Sequence, residues 1–191
     1  MLKQILISKV RIRVLEQFFF NPLTPYHVRG LVRILDEEIN AIRRELLNLE
    51  AAGLLKSEKD TNKIVFRIVP TNPIIEDLRN LILKSSSLGK KLLKLSSDSG
   101  KVECVILTEA FLNNSYNDPN DVDLLFIGDL DVKKLASGMK EIETDLNREL
   151  RFTIMSAQDF DFGRKKRTPV ILNTLNGDFV QIVGTIKRLI I

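Results

Sequence analysis

Between Ile39 and Ile68 the spacing of apolar residues changes from helical to alternating. Ile39, Ile42, Leu46 and Leu49 recur at the spacing of one helix face, with Leu47 as a further candidate for it. Gly53 follows and suits a helix C-terminal cap. Two short strand signals come next, over residues 54–57 and 63–68, and the polar residues 58–62 between them read as a hairpin tip. This stretch therefore predicts a helix over 38–52 running directly into a β-hairpin.

The flanking patterns are helical. Val10, Val14, Leu15, Phe18 and Phe19 predict a helix over 8–20, stopped by Asn21-Pro22. Thr24 can cap a second helix over 25–34, with Pro25 in its first turn and Val28, Leu31 and Val32 on one face. Beyond Pro73 a long helix is predicted to about residue 95, open to a kink at Ser85-Ser86-Ser87 and Gly89. The small polar residues 96–100 read as a linker. After them strands and helices alternate: strands over 102–107, 121–127, 151–155 and 179–183, and helices over 132–147, 157–162 and 169–175.

Charge divides the chain in the same place. Residues 1–97 hold 17 Lys and Arg against 10 Asp and Glu, whereas residues 98–191 hold 12 against 15. A basic half joined to an acidic half suggests two modules with different partners, the basic one suited to a polyanion. Hydrophobic residues make up 44% and charged residues 28%, which excludes a disordered chain. No apolar run approaches the roughly 20 residues that span a bilayer. The charged start of the chain lacks a cleavable signal pattern, so a cytoplasmic protein without membrane association is expected. One cysteine (Cys104) and one histidine (His27) exclude the common zinc patterns. Cys104 lies in an apolar run and reads as a packing residue, and His27 as a packing or capping one.

Three helices followed by a hairpin is the order of a winged helix-turn-helix. The segment PYHVRGLVRILDEEINAIRRELLNLEAAGLLKSEKDTNKIVFRI resembles the winged-helix regulators of bacteria and archaea. The match is sharpest where L-x-x-L-x-x-x-G-L runs from the helix toward the hairpin, or wing. The resemblance covers about residues 5–69 and implies binding of double-stranded DNA. On the third helix Asn40, Ala41, Arg43, Arg44 and Asn48 lie off the apolar stripe, free to enter a major groove. Arg can read guanine and Asn adenine. Lys56, Lys59, Lys63 and Arg67 on the wing would meet phosphate or the minor groove, and Arg29 and Arg33 phosphate. The same charges could instead be a solvated face, or the module could serve protein contacts alone.

In the second half, Asp121 and Asp123 stand two apart at the start of an apolar run, so in a strand they would project to one side. Two close carboxylates repel unless a cation bridges them, and Mg²⁺ with a nucleotide phosphate is the expected bridge. The stretch VILTEAFLNNSYNDPNDVDLLFIGD resembles the minimal nucleotidyltransferase domain of the DNA polymerase beta superfamily. The resemblance covers about residues 100–185. It implies a strand, a Gly-Ser turn opening a helix, a polar loop and an Asp-x-Asp strand. The later strand over 151–155 and the tail from Pro169 to Gly184 match the rest of that domain. Thr108-Glu109 occupies the Gly-Ser position, and Glu109 would repel phosphate. The third carboxylate expected on the third strand is missing, since Arg151 and Thr153 stand there and Glu149 lies only at its entry. The alternative is that Asp121 and Asp123 are turn and loop acids. The basic run over 164–167 reads either as a phosphate contact or as a solvated loop.

The expected fold is α+β. A winged helix-turn-helix spans 1–70, a connecting helix and linker 71–99, and a nucleotidyltransferase-like α/β domain with a mixed sheet 100–191. The expected function is a DNA-binding transcriptional regulator, a homodimer through the long connecting helix. Its second domain would be catalytically silent and serve sensing, dimerisation or partner binding, with a nucleotide or a protein as its ligand. The alternative is an active metal-dependent nucleotidyltransferase, antitoxin-like in one form, with the winged helix for targeting or autoregulation.

Overall fold

Ser8 opens the first helix by accepting a hydrogen bond from the Arg11 amide, and the computed structural model describes residues 8–186 from that point. Helix α1 (Lys9–Phe20) buries Val14, Leu15, Phe18 and Phe19, as the apolar spacing predicts, and Ile12 in addition, while Val10 is only half-buried. The second helix starts later than expected. Residues 25–27 are extended, and Tyr26 exchanges backbone hydrogen bonds with Phe66 of the hairpin. His27, not Thr24, is the cap of α2 (Val28–Leu35), its Nδ1 accepting from the Gly30 amide at 2.9 Å. Asp36 in the left-handed region (φ 47°) turns the chain into α3 (Ile39–Ala51).

The hairpin is longer and tighter than the sequence suggests. Strands β1 (Leu55–Asp60) and β2 (Lys63–Ile68) pair antiparallel from Leu55–Ile68 to Asp60–Lys63. Only Thr61 and Asn62 turn the chain, with Thr61 at φ 53°, as a two-residue hairpin turn requires. Residues 58–60, read as part of the tip, are strand because their partners on β2 complete the ladder.

The predicted long connecting helix is two helices. Helix α4 (Ile75–Ser85) packs on α1. Ser86 then breaks the chain and caps α5 (Ser87–Ser99), its hydroxyl accepting from the Gly89 amide at 3.0 Å. Residues 96–99 are the last turn of α5, with Ser96 and Ser99 buried, so the linker reading is corrected. The chain divides into two compact units between Ser85 and Ser86, so that α5 belongs with the C-terminal unit.

The C-terminal unit is a mixed sheet with helices on both sides. Strand β3 (Gly100–Leu107) leads into a short helix α6 (Glu109–Asn113), then strand β4 (Leu124–Leu130). Helix α7 (Val132–Leu146), strand β5 (Phe152–Met155), helices α8 (Ala157–Lys166) and α9 (Pro169–Asn176), and strand β6 (Val180–Gly184) complete it. The order is β5-β4-β3-β6, with β3 antiparallel to both β4 and β6, and β4 parallel to β5. Leu124 to Ile127 are all buried, as expected for a strand covered on both faces. Cys104, Ile106, Leu125 and Ile127 pack with Phe160, Ile171 and Ile186 in one core cluster. Cys104 is thus the packing residue expected.

The β3–β4 register shifts between Val102 and Cys104, leaving Glu103 as a bulge. Both neighbouring strands answer it with glycine. Gly128 (φ 150°) faces the Lys101 carbonyl and Gly184 (φ 64°) faces the Glu103 carbonyl, each too closely for a Cβ. Gly128→Ala should therefore destabilise the C-terminal unit by about 1–3 kcal/mol from backbone strain alone. A shift of the chemical-denaturation midpoint measures this, and an unchanged midpoint would contradict the bulge packing.

Candidate functional site

Helix α3 presents two kinds of surface. Ile42, Leu46 and Leu49 are fully or nearly fully buried, and Glu45 is buried beside them at 3% exposure. The Glu45 carboxylate accepts from the Ser8 hydroxyl at 2.7 Å and from Arg11 Nε at 2.8 Å, fastening α3 to α1. Burial acts to raise its pKa, but the Ser8 and Arg11 hydrogen bonds, the Arg11 charge and a hydrogen bond from the Asn48 side chain outweigh that and hold it below the ordinary glutamate value. Glu38 caps the helix through the Ala41 amide at 2.8 Å, and backbone donors at Asn40 and Ala41 lower its pKa.

The other face is open. Asn40, Arg43, Arg44 and Asn48 are all exposed, as the sequence predicts, and Ala41 is half-buried. Ile39 and Leu47 depart from expectation, being 38% and 51% exposed instead of part of the core. Leu47 lies one turn beyond Arg43 and Arg44, on the same side of the helix. A groove of about 1040 Å³ runs between α2, α3 and the wing. Arg29, Arg33, Arg43 and Lys63 line it, with Ile39, Leu47 and Ile64 between them and no acidic residue.

The wing cations fall on two faces. Lys59 is paired across the ladder with Ile64, and Lys56 with Arg67. Lys56, Lys59 and Lys63 are exposed. Arg67 is the exception among the predicted contacts. Its Nε forms an ion pair with Glu58, and its Nη1 donates to the Leu23 carbonyl at 3.4 Å, so its charge is spent within the wing region.

In the C-terminal unit the Asp121–Asp123 pair is separated. Strand β4 begins at Leu124, so neither carboxylate stands on it as expected. Asp123 is fully buried. Its Oδ1 accepts from Arg148 Nη2 at 2.5 Å, and its Oδ2 from the Tyr116 hydroxyl at 2.6 Å and the Arg151 amide at 2.8 Å. Asp121 faces the preceding loop. Its Oδ2 accepts from the Asn117 and Asp118 amides at 2.8 and 2.9 Å, and its Oδ1 from Asn173 of α9 at 2.9 Å. Burial pushes the Asp121 pKa up, but these donors and the Arg151 charge together hold it below its ordinary value.

Tyr116, Arg148 and Asn173 were not singled out from the sequence. Nothing near them forms a motif, because their meaning comes from a loop, a helix end and α9 converging on two aspartates. Arg148 also lies over the Phe111 ring at 5.1 Å, and Arg151 over the Tyr116 ring at 4.3 Å. Burial and the hydrogen bond to Asp123 raise the Tyr116 pKa, keeping its hydroxyl a donor.

A cleft of about 310 Å³ lies beside Asp121, between the β3–α6 turn, the loop before β4, and α9. Its lining includes Thr108, Glu109, Asp118, Asp121, Asn173 and Gly177, with no Lys or Arg. The Thr108 hydroxyl donates to the Val122 carbonyl, and its amide to the Asp123 carbonyl at 3.0 Å. Thr108 therefore ties the turn to the β4 entry. Glu109 packs directly over Gly177, leaving no room there for a Cβ.

The residues present do not fit the Mg²⁺ expected from the sequence. Every oxygen of Asp121 and Asp123 already accepts hydrogen bonds, and no group of three His, Cys, Asp or Glu among the described residues is placed to hold a metal. The basic run over 164–167 is also not a loop. It forms the last turn of α8 and its cap, where Arg164 and Lys165 pair with Asp161 at 2.9 and 2.5 Å. Their positive charges suit a helix C-terminus.

No described helix is long and apolar enough to cross a membrane. Comparison with protein families, curated proteins and solved structures finds no match.

Removing one partner of a buried ion pair leaves the other charge uncompensated. Asp123→Ala should therefore cost about 3–5 kcal/mol of stability, measured by chemical denaturation. Asp121 has a lowered folded-state pKa. Its contribution is complete above its ordinary value of 3.8 and is lost as the pH falls through the lower folded value. Stability followed against pH should fall less steeply in that acid range for Asp121→Asn than for the parent. Identical slopes would contradict the loop-tying role.

Proposed function

We propose that this chain is a transcriptional regulator that binds double-stranded DNA through its N-terminal unit. The observation that carries the reading is the exposed face of α3. Asn40, Arg43, Arg44 and Asn48 project from a helix whose opposite face is anchored in the core, and cations of α2 and the wing flank it. Such a helix can enter a major groove while the flanking Arg and Lys meet phosphate. The homodimer is part of this proposal, since a two-fold protein suits a two-fold site.

The C-terminal unit is proposed to be a nucleotidyltransferase-like domain without catalysis, serving sensing, dimerisation or partner binding. The order helix, strand, helix, strand, helix, strand from α5 to β5 supports that likeness. The use of Asp123 as a buried acceptor for Arg148, and of Thr108 as a tie to Val122, supports the loss of phosphate chemistry.

The reading is tested by fluorescence anisotropy with duplexes selected from a random-sequence pool. Arg43→Ala and Arg44→Ala should each weaken selected duplexes by about 1–3 kcal/mol where the arginine is bidentate to a base. Lys63→Ala should weaken all duplexes alike and reduce the slope of log K against log salt by about one. Parent-like affinity of the Arg43 and Arg44 double variant would remove α3 as the reading helix.

A further inference from the structure

We infer that the α2–α3–wing groove reads thymine methyl groups, so that the preferred duplex carries A·T pairs beneath Leu47 and Ile64. The inference rests on the DNA-binding reading and goes on to say what the face selects.

Leu47 and Ile64 are 51% and 61% exposed, and Ile39 is 38% exposed. Scattered exposed aliphatics are ordinary, but three converging on one concave surface are not scattered. That surface also holds Arg29, Arg33, Arg43 and Lys63 and no carboxylate, which matches a polyanion in charge. A duplex offers an aliphatic side chain one apolar feature in the major groove, the thymine C5-methyl.

The register explains how both chemistries share the face. Leu47 follows Arg43 by four residues and Arg44 by three, so all three lie on adjacent turns of one side of α3. An arginine reaching guanine would therefore leave Leu47 over a neighbouring base pair. Ile64 stands at the hairpin end of the same groove, paired across the ladder with Lys59, whose phosphate contact would hold it in place.

The test compares one selected duplex made with thymine against the same duplex made with uracil throughout. This change removes the methyls and keeps the pairing. The full-length protein should lose about fourfold in affinity per methyl contact removed, the scale of one buried methylene. Leu47→Ala and Ile64→Thr should each bind the thymine duplex more weakly and show a smaller penalty for uracil. Both positions are exposed, so the variants should fold as the parent does, which circular dichroism and the melting temperature check. Equal affinity of the parent for the two duplexes would overturn the inference and leave DNA binding intact. A uracil penalty undiminished in both variants would assign it to the stiffness of the DNA and also overturn it. Failure to bind any duplex would be a different result, removing the DNA-binding reading and this inference with it.

Discussion

Asp123 is a carboxylate with no access to solvent, and the entry to the central strand β4 is organised around it. A buried charge is tolerated only when its partners are complete. Here Arg148, Tyr116 and the Arg151 amide supply them, Tyr116 from the long polar loop and the two arginines from the connection between α7 and β5. This one carboxylate thus ties three segments together. The cleft beside it is lined by Glu109, Asp118 and Asp121 and by no Lys or Arg.

The N-terminal unit uses a buried acid in a comparable way. Glu45 sits in the middle of the face of α3 that packs on the other helices, and Ser8 and Arg11 neutralise it. Together with the buried Ile42, Leu46 and Leu49 it sets which side of α3 faces inward. That orientation then decides which residues face outward. It turns Leu47 and Ile39 away from the core and places them beside Arg43 in the groove. Phe18 and Tyr26, edge to face at 5.1 Å, lie in the same unit, where Tyr26 joins the extended segment before α2 to the hairpin.

Much of the architecture was legible in the sequence. The helices of the first unit, its hairpin and the alternating elements after residue 100 follow from apolar spacing and from Gly and Pro signals. The errors have specific causes. Residues 96–99 are small and polar, which suggests a linker, yet Ser96 and Ser99 are buried on the inner side of α5. The long helix predicted from Pro73, open to a kink at residues 85–89, is divided there into two because Ser86 makes a better N-cap than an interior residue. The second helix begins at Val28 because residues 25–27 find a β partner in Phe66, a contact distant in sequence. The exposed residues Asn40, Arg43, Arg44 and Asn48 were legible because helical geometry alone separates them from the buried stripe.

By itself the sequence determined the kinds and order of the elements, the basic and acidic halves, and the outward placement of the α3 polar face. These depend on local periodicity and composition, which neighbouring residues carry. Only the tertiary structure decided what the aspartates do. Asp121 and Asp123 look equivalent when read as alternate residues of a strand over 121–127, but the strand starts three residues later, at Leu124, and distant donors draw them apart. Arg148 lies 25 positions from Asp123, and Asn173 lies 52 from Asp121. A hydrogen-bond partner at that separation leaves no trace in local spacing, so the role of each carboxylate arises only once the chain has folded.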